Sequence, residues 1–172
     1  MTACWICGRG AAPDPTLGEL GFARCGGCGF VFRPELAGAA RRTYETGAYE
    51  EVRGAHYTEA EVAARRRDAR VRLAFLAPHA PGGRLLDVGA AGGAFVAEAR
   101  DAGYDARGIE PTPAFAAHAR ERLGVDVAEG TLEDARLRPG SLDAVTMWHV
   151  LEHVPRPVEQ LRRVREALRR RR

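Results

Sequence analysis

Four cysteines, two carboxylates and a cluster of histidines are the residues whose types and spacing could do chemistry here. The cysteines fall as Cys4-x2-Cys7-x17-Cys25-x2-Cys28, with none elsewhere in the 172 residues. Two residues between thiolates let both sulfurs reach one tetrahedral ion, so the pattern predicts a closed, structural four-thiolate zinc site. Gly26, Gly27 and Gly29 are expected to permit the tight turn of the second pair, with Phe30 to Phe32 leaving it as a strand. The competing reading is two disulfides or four incidental thiols. No basic-then-apolar leader precedes Cys4 and no cysteine lies outside the pattern, which favours zinc. A segment of about 30 residues with so few apolar groups also needs such a staple to fold.

The second constellation is LLDVGAAGGAF, Leu85 to Phe95: an apolar run, one carboxylate and three glycines. A strand entering a glycine turn before a helix brings backbone N–H groups close to a ligand. Glu110 follows Asp87 by 23 residues and ends the next apolar run. A dinucleotide fingerprint would be G-x-G-x-x-G, but Ala91 and Ala94 stand at its second and third glycine positions, which counts against close approach of a pyrophosphate. The form D-x-G-x-(G/A)-x-G is met by Asp87, Gly89, Ala91 and Gly93. Taken singly, Asp87 is equally a loop-ordering carboxylate and Glu110 a solvated strand end.

The third constellation is HVLEH. His149, Glu152 and His153 at i, i+3 and i+4 share one face if the segment is helical. A second metal, base catalysis or substrate orientation, and a purely structural role all remain open for it.

The elements that must position these groups follow from periodicity. A helix is expected from Thr58 to Ala77, capped by Thr58 with Glu61 three residues on, with Val62, Ala69, Leu73 and Leu76 inward. Strand and helix patterns then alternate. Strands are expected at Arg84 to Val88, Asp105 to Glu110, Val125 to Ala128 and Leu142 to Trp148. Helices are expected at Gly92 to Ala102, Thr112 to Leu123 and Pro157 to Arg170. Phe95, Val96, Ala99 and Ala102 are assigned inward in the first of these helices, and Val158, Leu161, Val164 and Leu168 in the last. Near-continuous apolar strands in βαβαββα order predict an α/β fold, a Rossmann-like parallel sheet of about four strands, preceded by the small zinc ribbon.

Composition sets the limits. The 45% apolar content is that of a globular protein, and no stretch approaches the roughly 18 apolar residues of a membrane span. A cytoplasmic protein is expected. The net charge of +3 comes from Arg169 to Arg172, so the rest of the chain is slightly acidic. The 26 basic residues are all Arg, a pattern of coding bias more than of phosphate contact, and the terminal run is read as a solvated helix end. A nucleic-acid partner is disfavoured.

Together, CWIC, CGGCGFVF, YETGAY, LLDVGAAGGAF, GIEPTP, GTLEDARL and LDAVTMWHVLEHVPRP resemble the class I S-adenosylmethionine-dependent methyltransferases, and among them the ubiquinone-methyltransferase-like group with an N-terminal zinc ribbon. The resemblance implies that Asp87, Gly89, Ala90 and Gly93 surround the methionine part of the cofactor. It puts Glu110, beside Pro111, on both ribose hydroxyls, and Thr131, Leu132 and Glu133 along the adenine. Trp148 and His149 would flank the transferred methyl group, and Tyr44 and Tyr49 would close over it. Some relatives carry Glu where His149 stands and bind a divalent ion there.

The implied organisation is a zinc ribbon over residues 1–35, a linker or lid over 36–57 and a cofactor domain over 58–172. In that group the chain continues past the last helix with further strands, so this one reads as shortened. A homodimer or a partner chain would then complete the sheet. The expected activity is methyl transfer to a small-molecule hydroxyl oxygen or carbon, on a sugar, quinone or natural product, with His149 or His153 as candidate base. The alternatives are a non-catalytic zinc-ribbon or cofactor-binding fragment acting through a partner chain, and a nicotinamide-dependent oxidoreductase.

Overall fold

The computed structural model describes residues 2–36, 57–154 and 156–169. Tyr44 and Tyr49, expected to close over the cofactor, lie outside the described residues.

The N-terminal segment forms a four-stranded antiparallel meander in the order β1 (Thr2–Ala3), β2 (Gly10–Pro13), β3 (Ala23–Cys25) and β4 (Val31–Phe32). Its core is small: Cys4, Ala11, Ala23, Cys25 and Phe32, with Trp5 and Phe30 packed against Phe32 at ring distances of 4.9 and 5.6 Å. Buried Asp14 ties the β2–β3 connection by accepting from the Thr16 and Leu17 amides and from Arg24 Nε. The knuckle turns differ from the expectation in one respect. Gly8 (φ 73°) and Gly29 (φ 74°), each directly after the second cysteine of its pair, adopt the left-handed backbone that only glycine takes without strain, whereas Gly26 and Gly27 do not.

The second part begins with α1 (Glu59–Leu76). Thr58 and Glu61 form the reciprocal capping box that their spacing predicts, and Ala69 is buried on the inward face with Leu73 and Leu76 partly so. Then follow β5 (Arg84–Val88), α2 (Ala94–Asp101), β6 (Asp105–Glu110), α3 (Pro113–Arg122), β7 (Val127–Glu129), β8 (Ala144–Thr146) and α4 (Pro157–Ala167). The four strands are parallel in the order β7-β6-β5-β8. Side-chain alternation along β5 sends Leu85 into the cluster with α1, α2 and α3, and Leu86 and Val88 into the cluster with Val164 of α4. Both faces of β5 are therefore covered, which is why it is buried along nearly its whole length, whereas β6 exposes Asp105 and Arg107.

Several expectations shift, among them the bounds of β7, which runs Val127–Glu129 and not Val125–Ala128. Ala102 is exposed at the end of α2, beyond the turn that packs. The inward face of α4 is Pro157, Gln160, Val164 and Ala167, one residue round from the apolar reading, and Leu161 is 45% exposed. The polar Gln160 is tolerated inside because its amide is hydrogen-bonded to Glu133. Finally, α4 stops at Ala167 rather than Arg170: Leu168 pairs in parallel with Leu142, the Arg169 amide donates to the Leu142 carbonyl at 2.7 Å, and Arg169 Nε lies 3.4 Å from Asp143. The chain thus covers the start of the outer edge of β8. The strand itself is only three residues long, shorter than Leu142 to Trp148.

Candidate functional site

The carboxyl ends of β5, β6 and β8 converge on the glycine turn. Asp87 stands beside Gly108 of β6 and Thr146 of β8 in the ladder, and Thr146 Oγ1 donates to Asp87 Oδ1 at 2.7 Å. After β5 the Gly89 and Ala90 amides both donate to the Ile109 carbonyl, at 2.8 and 3.0 Å, stitching the turn to the end of β6. Gly89 (φ 73°), Ala91 (φ 47°) and Gly93 (φ 80°) take left-handed backbone. An alanine at such a dihedral is uncommon, and its amide is held there by donating to Glu110 Oε2 at 2.8 Å. Glu110 Oε1 accepts from the Thr112 amide at 2.9 Å, so one carboxylate ties the turn to the start of α3.

Asp87 and Glu110 are 3% and 5% exposed. Burial pushes the Asp87 carboxyl up to about 7, against the lowering effect of the Thr146 hydrogen bond and of Arg72, with Glu110 adding a smaller upward push. Burial also raises Glu110, opposed by the Thr112 and Ala91 donors.

Both face a cavity of about 1340 Å³ that holds most of the residues predicted from sequence: Asp87, Gly89, Ala90, Glu110, Pro111, Thr131, Leu132, Glu133, Trp148, His149 and His153. Gly93 is not in its lining; it serves the turn from beneath, where an added Cβ would lie 2.7 Å from Ala119 Cβ. Trp148 packs edge-on against Phe95 at 5.7 Å, with the Arg72 guanidinium 5.3 Å from its ring centre. The N-terminal part of the chain adds a mostly apolar stretch of lining, including Trp5, Phe22, Phe30 and Leu36, together with Arg33.

HVLEH does not form one helical face. His149 has φ 55°, only Leu151–His153 forms a short 3-10 turn, and His149 Nδ1 lies 3.5 Å from Glu152 Oε1 with both side chains exposed. Among the described residues the only group of three or more potential ligands within metal reach is Cys4, Cys7, Cys25 and Cys28, whose sulfurs all lie within 4.8 Å of one another. The backbone break at His149 thus argues against a second metal at His149, Glu152 and His153. Two cross-pair Sγ distances are 3.6 Å (Cys4 to Cys28) and 3.5 Å (Cys7 to Cys25); a tetrahedral zinc with bonds of about 2.3 Å needs roughly 3.8 Å. In each pair an amide two residues on approaches the first sulfur, Ile6 N to Cys4 and Gly27 N to Cys25. Amide donors from Cys28 and Gly27 favour the thiolate form of Cys25.

Several site residues carry no sequence signal. Thr146 is an ordinary strand residue until the ladder sets it beside Asp87. Tyr57 stacks on Phe115 at 5.1 Å and lies so close to Gly92 that a Cβ there would meet its ring at 2.3 Å. Arg163 donates to the carbonyls of Leu132, Glu133 and Ala135 at 3.1 to 3.2 Å, fixing the loop after β7.

A family model for a methyltransferase domain matches residues 59–171. A ubiquinone biosynthesis O-methyltransferase of Xanthomonas campestris pv. campestris is 37% identical over 100 residues, covering 54% of this chain and 42% of that protein. The enzyme of the same description from Nitrosococcus oceani is 36% identical over 95 residues, covering 51% and 40%. The chain thus spans less than half the length of these curated relatives. Among solved structures, a SAM-dependent methyltransferase of Thermotoga maritima superposes with a TM-score of 0.54 at 24% identity, covering 75% of this chain and 56% of that one. Phosphoethanolamine N-methyltransferase 1 of Haemonchus contortus, solved with phosphoethanolamine and S-adenosylhomocysteine, gives 0.60 at 17% identity, covering 77% and 31%. At these identities the solved structures show a shared fold. With the family match over most of its length, and the parallel sheet and glycine turn in place, the chain belongs to the methyltransferase-domain family and has the fold of its S-adenosylmethionine-dependent members.

Proposed function

We propose that this chain binds S-adenosylmethionine over the Gly89–Gly93 turn and directs its methyl group to a hydroxyl oxygen of a small molecule. The observation that carries the reading is the pair of buried carboxylates, Asp87 and Glu110, at the ends of adjacent parallel strands on one glycine turn. The residues fit the group. Glu110 uses one lone-pair site of each oxygen on the Ala91 and Thr112 amides, and a carboxylate offers about four, which leaves two for the hydroxyls of a ribose. Asp87, with Thr146 as its hydrogen-bond donor and a carboxyl pushed upward by burial, is complemented by the cofactor's ammonium. Thr131, Leu132 and Glu133 then line the adenine.

When bound, S-adenosylmethionine supplies a methyl group on a positively charged sulfur that leaves as a neutral thioether. Transfer to an oxygen is then mainly a matter of positioning. The hydroxyl proton needs an acceptor, and His149, set at the cavity beside Glu152, is the candidate base, with His153 next to it. The likeness to ubiquinone biosynthesis O-methyltransferases supports a hydroxyl acceptor. The apolar wall of Trp5, Phe22, Phe30 and Leu36 suits an acceptor with an apolar body.

In this reading residues 1–35 form a zinc ribbon held by Cys4, Cys7, Cys25 and Cys28, residues 36–57 link it, and residues 58–172 form the cofactor domain. Cytoplasmic action belongs to this reading, because four cysteines placed for one ion are the pattern of a reducing compartment. No helix among the described residues is long and apolar enough to cross a membrane.

The test is calorimetric titration of the zinc-loaded chain with S-adenosylhomocysteine, alongside NAD and a Glu110→Ala variant. Saturable binding of the first ligand alone, weakened by the substitution, is expected. Absence of binding by a folded chain, or binding of NAD instead, refutes the reading. An acceptor screen on the binding-competent chain then looks for incorporated methyl groups.

A further inference from the structure

Three side chains of the cavity lining belong to the cysteine pattern itself. Trp5 and Ile6 are the two residues between Cys4 and Cys7, and Phe30 follows Cys28 by two. They line the same cavity as Trp148 and His149, and so does Leu36. Ile6 is 38% and Leu36 49% exposed, and Trp5 and Phe30 are half-buried. Apolar side chains left open inside a concave surface are a place for an apolar ligand. Among the described residues of the N-terminal part that line the cavity, Arg33 is the only charged one, and its Nη2 lies 2.6 Å from Glu35 Oε1. The stretch therefore offers apolar surface with its one charge compensated.

How these side chains are held depends on the cysteines. The core beneath them is Cys4, Ala11, Ala23, Cys25 and Phe32, so two of its five members belong to the four-sulfur cluster. Trp5 and Phe30 lean on Phe32, at ring distances of 4.9 and 5.6 Å. So small a core does not hold a meander of about 30 residues without a crosslink. The parallel sheet, by contrast, has its own two core clusters. None of the residues assigned to the cofactor, Asp87, Gly89, Glu110 and Thr131 to Glu133, comes from the meander.

We propose that the ribbon is the acceptor-recognition element of this chain: its four cysteines, crosslinked by zinc, hold Trp5, Ile6 and Phe30 as the surface on which an uncharged aromatic ring of the acceptor binds. The inference rests on the cofactor reading above and names which part of the chain selects the acceptor. Half-buried aromatic side chains suit such a ring, because they add offset or edge-on ring contacts to the burial of apolar area. Metal loading then governs acceptor binding and leaves cofactor binding alone. The ion has no part in the transfer itself, since four sulfur ligands leave no open position.

The experiment titrates 2-naphthol, an apolar aromatic ring bearing one hydroxyl, and S-adenosylhomocysteine into the chain in its zinc-loaded and chelator-stripped forms. The same two ligands are titrated into zinc-loaded Ile6→Gln, Leu36→Gln and Leu20→Gln. Zinc-loaded wild type is expected to bind both. Stripping the metal should weaken 2-naphthol by about tenfold or more and leave S-adenosylhomocysteine within about twofold. Ile6→Gln and Leu36→Gln each take an apolar side chain out of the lining and should weaken 2-naphthol roughly threefold to tenfold, with cofactor affinity and zinc content unchanged. Leu20 is 63% exposed in the β2–β3 connection and is not part of the lining, so Leu20→Gln should change neither affinity. Binding of 2-naphthol that is the same with and without zinc overturns the inference. So does a loss at Leu20→Gln equal to that at Ile6→Gln, a cofactor affinity that falls when zinc is removed, or a wild type that binds S-adenosylhomocysteine and not 2-naphthol. Failure of wild type to bind S-adenosylhomocysteine overturns the cofactor reading itself, and this inference with it.

Discussion

Replacing Asp87 by Asn should stabilise the ligand-free chain at alkaline pH and leave it nearly unchanged in acid. The Asp87 carboxyl is 3% exposed and burial raises it to about 7, whereas in an unfolded chain it returns to about 3.8. Below about pH 4 it is protonated in both states and no difference arises. Between about 4 and 7 the unfolded chain releases this proton and the native chain keeps it. Stability therefore falls as pH rises through this window, and above 7 the native state carries an ionised buried carboxylate. A displacement of about three pH units at 1.36 kcal/mol each sets an upper figure on the order of 4 kcal/mol. Asn is neutral, of the same shape, and keeps an acceptor for Thr146 Oγ1. At roughly 2–4 °C per kcal/mol for a chain of this size, the variant should melt about 5–15 °C above wild type at pH 8, with the gap closing toward pH 5. Thermal melts of both zinc-loaded proteins across pH 5 to 8.5 measure it. A melting difference that does not change with pH, or a variant less stable at pH 8, would refute the reasoning that Asp87 is an undercompensated buried acid. Saturating S-adenosylhomocysteine, whose ammonium complements the charge, should stabilise wild type more than the variant at pH 8.

Glu110→Gln should weaken S-adenosylhomocysteine roughly tenfold to several hundredfold in calorimetry, because charge-assisted bonds to the ribose become neutral ones and one acceptor becomes a donor. Gly93→Ala should destabilise the fold by about 2 kcal/mol or more in urea titration, since φ is 80° and the new Cβ would sit 2.7 Å from Ala119 Cβ and 2.8 Å from Val125 Cγ2. Val164→Ala should cost roughly 1.5–3 kcal/mol and Leu161→Ala under about 0.5 in the same assay; reversal would restore the apolar stripe read from the sequence. A strong chelator should release one zinc per chain in a metal-indicator assay and make all four thiols reactive, and Cys25→Ser should lower the metal stoichiometry.

Much of the frame was legible because its signals are local. Thr58 and Glu61 announce their capping box through spacing alone, and β6 spans Asp105–Glu110 as expected, with Ala106 and Gly108 buried between exposed Asp105 and Arg107 in the period of two that marks a strand. Four thiols in two x2 pairs converge whatever the intervening loop does, since each pair is a local unit. The errors arose where a local pattern competed with a distant partner. The inward face of α4 departs from its apolar stripe because Gln160 Nε2 finds an acceptor inside at Glu133, 27 residues away. HVLEH has helical spacing, but the backbone turns left-handed at His149 and breaks the face.

The sequence by itself determined which residues can bear charge, thiolate or a tight turn, and the order in which strands and helices must come. Only the tertiary structure decided what those residues experience. Asp87 and Thr146 are 59 residues apart and become hydrogen-bonded partners through the β5–β8 ladder, and Glu110 meets the Ala91 amide because β6 runs beside β5. Burial, and with it the raised carboxyls, is a property of what surrounds a group. No periodicity encodes it, because the desolvation that shifts a charge comes from atoms distant in the chain.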